Sequence, residues 1–241
     1  MNSLRTYIQE RINIFLWSGV ALLLIALSLT DLSFSTFQLY AFPFVLFFLL
    51  TLRLSDDLAS AEIDKGKENR SYTNDTTKKE LQKFSFVAQG ILVATLAIFD
   101  YKRAVIALAF LVVNHLLYAV LFNITKLRYF LPLLKYAFII YVLNLELSFN
   151  ILAVVFAFIT FESVEDQSFP MNKYFRVSSA TLSFIMLLFN SLLTLNIMLF
   201  LPLCLIGMIL VKYPNRYSAY AFLTVFILTH LLLIYPKCLI L

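Results

Sequence analysis

Glycine, cysteine, histidine and charge are all scarce in this chain. Four glycines in 241 residues leave no Gly-rich phosphate cradle: there is no Walker loop, no dinucleotide fingerprint and no haem-attachment motif. So few small residues also exclude extensive close helix packing of the GxxxG kind. The two cysteines, Cys204 and Cys238, lack metal-ligand spacing and read as apolar fillers. The two histidines, His115 and His230, lie in separate apolar runs and make no metal site by themselves. Charged residues are 14% of the chain, against about 25% in a soluble domain. That shortage excludes an ordinary soluble fold. The net charge of +5 is loop charge and not a nucleic-acid footprint. The start, MNSLRTYIQER, is polar and no small-residue cleavage site follows, so no cleavable signal is expected.

What remains is apolar. The apolar share is 61%, with 25 Phe and 13 Tyr. The runs are continuously apolar and not alternating, which favours helices over barrel strands. Nine spans are expected, near 11–30, 36–55, 82–99, 103–122, 129–145, 147–163, 176–195, 196–212 and 217–235. The expected fold is therefore all-α: one polytopic domain over 1–241, with nine transmembrane helices around a central cavity. Trp17 and span-end tyrosines such as Tyr40, Tyr101 and Tyr235 read as interface anchors. Lys135 lies inside the fifth span, placed to face a cavity or to snorkel outward.

The basic residues give an orientation. With nine spans, one side carries Arg5, Arg11, Arg53, Lys65, Lys67, Arg70, Lys78, Lys79, Lys83, Lys126, Arg128, Lys173, Arg176, Lys212 and Arg216. The other carries Lys102, Arg103 and Lys237, so the count is fifteen to three. The positive-inside rule then puts the N-terminus in the cytoplasm.

Two acidic clusters open on that same side. The first is RLSDDLASAEIDKGKENR, Arg53 to Arg70, directly after the apolar run Leu39 to Leu52. On a continuing helix, Arg53, Asp57, Ser60 and Asp64 share one face. Asp57 and Asp64 would stand about 10 Å apart along it. The second is FESVEDQ, where Glu162 and Asp166 are four residues apart and share a face. Together the clusters hold eight of the 14 acidic residues. Carboxylates crowded at the mouth of a membrane helix repel one another, and a divalent cation would offset that.

These residues carry a resemblance. The chain resembles the UbiA-type intramembrane prenyltransferases, whose nine helices surround a cavity with Asp-rich motifs after helices two and six. Asp56, Asp57, Ser60 and Asp64 align with the first motif, N/D-D-x-x-D-x-x-x-D. The stretch Arg53 to Arg70 is also similar to divergent bacterial members reading R-x-x-D-[DE]-L-x-D-x-E-x-D-K. Glu162 and Asp166 match the second motif, D-x-x-x-D, and Leu116 to Lys135 resembles the family's Tyr-and-Lys segment. Ser60 stands where the middle Asp is expected, Glu162 replaces an Asp, and Pro170 replaces the usual Gly.

The resemblance implies transfer of a prenyl group from a prenyl diphosphate to a small aromatic or lipid acceptor, with Mg²⁺. It implies Asp57, Asp64, Glu162 and Asp166 as catalytic residues and the same four with Asp56 as metal ligands. Arg53, Lys126, Arg128 and Lys173 are then the cations for the diphosphate. It places the protein in a bacterial cell membrane with both acidic motifs cytoplasmic. Two rivals remain open. One is a non-catalytic relative that binds an isoprenoid lipid or a partner protein, which the Ser60 departure motivates. The other is a small transporter, against which stands the lack of a repeat between halves and of Gly/Pro-broken spans.

Overall fold

The computed structural model describes residues 2–29, 36–68, 70–121, 127–145, 148–165, 172–190, 197–213 and 215–239. Those residues form ten α-helices and short 3₁₀ turns, with no strand among them. The helices are α1 (Asn2–Arg11), α2 (Ile14–Ser28), α3 (Thr36–Ser60), α4 (Asp75–Phe99) and α5 (Tyr101–Leu121). They continue as α6 (Leu134–Asn144), α7 (Phe149–Glu165), α8 (Lys173–Asn190), α9 (Ile197–Lys212) and α10 (Arg216–Leu239). Each of the nine expected spans thus holds a helix. The polar start, by contrast, is a helix of its own, α1, bent by 73° from α2.

Among the described residues two helices, α4 and α5, are long and apolar enough to cross a membrane. The number becomes three if the bent pair α1 and α2 counts as one span. Helices α2, α6, α7 and α9 are each shorter than 18 residues. Expected span five is cut to the 11 residues of α6, because Pro132 opens a 3₁₀ turn, Leu131–Leu133, ahead of it. α3 carries Arg53, Asp56 and Asp57 in its last turns. On α4 and α5 the apolar side chains Val87, Ile91, Ile98, Val105, Leu108, Val112 and Leu116 are exposed, as lipid-facing positions would be.

The chain packs as two compact units, Met1–Leu22 with Tyr40–Lys135 and Leu23–Leu39 with Tyr136–Leu241. In the first, α4 and α5 pack together. Asn74 starts α4, its Oδ1 accepting from the Thr76 N–H at 3.0 Å. A small core of Tyr7, Leu54, Leu58, Ala61, Tyr72 and Leu81 ties α1 to the end of α3 and the start of α4.

In the second unit α7 lies on α8 and α9 on α10. Thr160 donates to Ser179 Oγ at 3.0 Å, and Ser179 donates to the Phe156 carbonyl at 2.9 Å. Tyr136 stacks on Phe158 with ring centroids 3.7 Å apart. Gly207 of α9 sits under the Phe184 ring of α8, where a Cβ would come within 2.8 Å of it. Asn215 and Ser218 cap α10 reciprocally: the Ser218 N–H donates to Asn215 Oδ1 at 2.8 Å, and the Asn215 N–H donates to Ser218 Oγ at 3.0 Å.

Candidate functional site

α3 does not continue through the first acidic cluster. It ends at Ser60, and residues 61–66 turn back, with Gly66 at φ 88°. That left-handed conformation is one glycine adopts without strain. Asp64 is therefore not a fourth rung on the α3 face. It sits in the turn, with its N–H still donating to the Ser60 carbonyl at 3.0 Å.

Asp57 is 3% exposed and lies at the centre of the first unit's charged network. Arg11 from α1 grips it with two bonds, Nε to Oδ2 at 3.1 Å and Nη2 to Oδ1 at 2.9 Å. This planar fork is the strongest carboxylate contact a side chain makes. Arg53, one turn earlier on α3, reaches Oδ1 at 3.2 Å. The Tyr7 hydroxyl donates to Oδ2 at 2.9 Å.

Asp64 accepts from Tyr72 at 2.6 Å, from Lys67 at 2.7 Å and from Ser60 at 3.1 Å. The two carboxylates are bridged by aromatic contacts: Tyr7 meets Tyr72 edge-on at 6.1 Å, and the Arg11 guanidinium lies 5.8 Å over the Tyr72 ring. Burial pushes the Tyr72 hydroxyl far above its ordinary range, and its bond to the Asp64 carboxylate adds to this. That hydroxyl stays a donor.

Asp56, 8% exposed, belongs to a second buried pair. Lys135 donates to its Oδ2 and Tyr118 to its Oδ1. Lys135 is buried and does not snorkel outward; its ammonium also lies 5.8 Å from the Trp17 ring. Trp17 thus has an inward partner, in addition to the anchoring role its position suggests. Glu62 is exposed and pairs with Lys78 at 2.9 Å.

The other expected site residues are placed as follows. Arg128 lies over the Tyr129 ring at 5.0 Å, and its Nη2 donates to the Tyr129 hydroxyl at 3.3 Å. Lys173 lies 5.1 Å from the Tyr174 ring, at the start of α8 in the second unit. Glu162 is half-buried in the last turn of α7, also in the second unit. Asp166 and Lys126 lie outside the described residues.

The network also shows whether Asp56, Asp57 and Asp64 fit Mg²⁺. That ion needs carboxylate oxygens open to it. All six oxygens of these three side chains already accept from protein donors. Among the described residues no three His, Cys, Asp or Glu side chains group as metal ligands. As arranged, Asp56, Asp57 and Asp64 are engaged in ion pairs and hydrogen bonds within the protein.

Tyr7, Arg11 and Tyr72 are the members that reading the sequence missed, whereas Tyr118 lies in the Tyr-and-Lys segment it singled out. A signal existed for two of the three. Tyr7 and Arg11 are four apart, on one face of a helix, in a segment read as a polar start in which Arg11 counted only toward the charge balance.

No family model, curated protein or solved structure matches this chain.

Proposed function

We propose that this chain is a membrane-embedded protein that binds an isoprenoid lipid, with the α3 carboxylates holding helices together and not a metal. The observation that carries this reading is the full engagement of Asp56, Asp57 and Asp64. A buried carboxylate shared by two guanidiniums and a phenol is a structural anchor. The apolar helices and the similarity of the motifs to intramembrane prenyltransferases supply the lipid class. In this reading helices α2 to α10 make nine crossings, with the N-terminus and α3's charged end in the cytoplasm. The fifteen-to-three basic count supports that sidedness.

A second reading is prenyl transfer itself. Arg11 and Arg53 gathered on one carboxylate are the positive charge a diphosphate would seek, and Arg53 is 30% exposed. This reading needs Asp57 and Asp64 to meet Glu162 and Asp166 around Mg²⁺.

Thermal unfolding in lipid nanodiscs separates the two. On the binding reading, an isoprenoid lipid raises the melting temperature while Mg²⁺ leaves it unchanged. Asp57→Asn then destabilises by about 3 kcal/mol with or without Mg²⁺, because two guanidiniums lose their counter-charge. A Mg²⁺-dependent shift that disappears in Asp57→Asn would overturn this reading in favour of transfer. Prenyl product formed from farnesyl diphosphate and a phenolic acceptor would do the same. Ser60→Asp is the informative rescue variant for transfer.

A further inference from the structure

A pocket of about 170 Å³ with both polar and apolar walls lies between α3, α4 and α5, inside the first unit. It is lined by Ser55, Leu58, Ala59, Gln82, Ser85, Phe86, Asn114, His115 and Tyr118. None of these nine carries a fixed charge, and the neighbouring ions Asp56 and Lys135 are paired with each other. A diphosphate or metal ion therefore has no counter-charge here.

The hydrogen bonds around the pocket run in one direction. Ser55 donates to the Thr51 carbonyl at 3.1 Å, so its oxygen accepts from Gln89 Nε2 at 2.9 Å and from Ser85 at 3.1 Å. With its nitrogen committed to Ser55, Gln89 turns Oε1 to His115 Nε2 at 3.1 Å. His115 Nε2 must then carry the hydrogen, which leaves Nδ1 as an acceptor. The Tyr118 hydroxyl is spent on Asp56.

One wall group faces the pocket without a partner among the described residues. Asn114 is only 4% exposed and lines the pocket, and no hydrogen bond to its side-chain amide is seen among them. Phe86, 63% exposed, lines the pocket and lies on α4 beside the exposed Val87. A visitor that passes Phe86 would bring an apolar body with it.

We propose that this pocket receives the neutral, hydroxyl-bearing head of a membrane-soluble amphiphile. The hydroxyl donates to His115 Nδ1 and accepts from the Asn114 amide. A hydroxyl satisfies both walls at once, whereas a carbonyl or an ether satisfies only the amide. The volume suits a head no larger than one six-membered ring, since an apolar cavity of about 150 Å³ takes benzene. Phe86 and His115, whose rings are 5.3 Å apart, form one flat side of the pocket. This inference names the ligand head for the lipid-binding reading and rests on it.

The test uses the full chain in nanodiscs of saturated phosphatidylcholine, with farnesol, farnesyl methyl ether and pentadecanol as probes. Farnesol is expected to raise the melting temperature, and the ether, which has no donor, to bind about five- to tenfold more weakly. Asn114→Ala and His115→Phe are expected to weaken farnesol by a similar factor and to level the two probes. Thr181→Val, in the second unit, should leave both affinities unchanged. Equal binding of alcohol and ether by the parent would overturn the proposal without recourse to any variant. So would farnesol binding that survives both pocket substitutions, or no binding of any alcohol, which would leave the pocket to water. Equal, Asn114-dependent binding of pentadecanol and farnesol would keep the pocket but overturn the isoprenoid reading.

Discussion

Burial pushes the Asp64 carboxyl upward, but hydrogen bonds from Lys67, Tyr72 and Ser60 outweigh it and hold the group below its ordinary 3.8. A carboxyl lowered by folding lends stability that is complete above the unfolded value and is lost as pH falls through the folded one. The 61–74 turn should therefore loosen in acid. Hydrogen exchange of the Tyr72 region, followed from neutral pH down past 3.8, is expected to accelerate in the parent. Asp64→Asn should lose that acid response while exchanging faster throughout; an unchanged acid response would dismiss Asp64 as its source. At this scale the sequence was informative only locally. The Arg53–Asp57 pair is an i,i+4 contact on one helix and follows from spacing alone. Tyr7 and Arg11 reach Asp57 across 50 and 46 residues, and Lys135 reaches Asp56 across 79. Those pairings depend on tertiary packing that no local pattern encodes.

The helices themselves were legible because continuous apolar runs have one solution in lipid. Their ends were less so. α3 was expected to carry Asp64 on its face, yet the chain turns at Gly66, a position whose positive φ is written in the residue type but not in the charge pattern. Asn74 and Asn215 both cap helices, through side chains that the apolar pattern does not single out. Gly207 illustrates how few small residues the packing requires. It is the one glycine whose added Cβ would strike a neighbour. Gly207→Ala is expected to lower stability by about 1–3 kcal/mol through overpacking against Phe184. Thermal unfolding should show this, and Phe184→Leu added to Gly207→Ala should recover part of the loss. Additive losses in the double variant would dismiss the ring contact as the cause.

For the whole molecule, the proposed nine crossings and sidedness make a direct prediction. With Cys204 and Cys238 replaced, a single cysteine at Glu68, in the exposed stretch after α3, should resist an impermeant maleimide in sealed cells and react once they are opened. Labelling from outside would reverse the orientation. The long reach of the Asp56 and Asp57 pairs also bears on the order in which a ribosome delivers the chain. Arg11 and Tyr7 precede Asp57, so the counter-charge for that carboxylate is already made when it emerges. Lys135 follows Asp56 by 79 residues, roughly 4–16 s of synthesis at about 5–20 residues per second. During that interval Asp56 lacks the ammonium it pairs with in the folded unit, so the buried pair forms only after α5 and the start of α6 have been added. Assembly of the first unit is thus timed by its last residue.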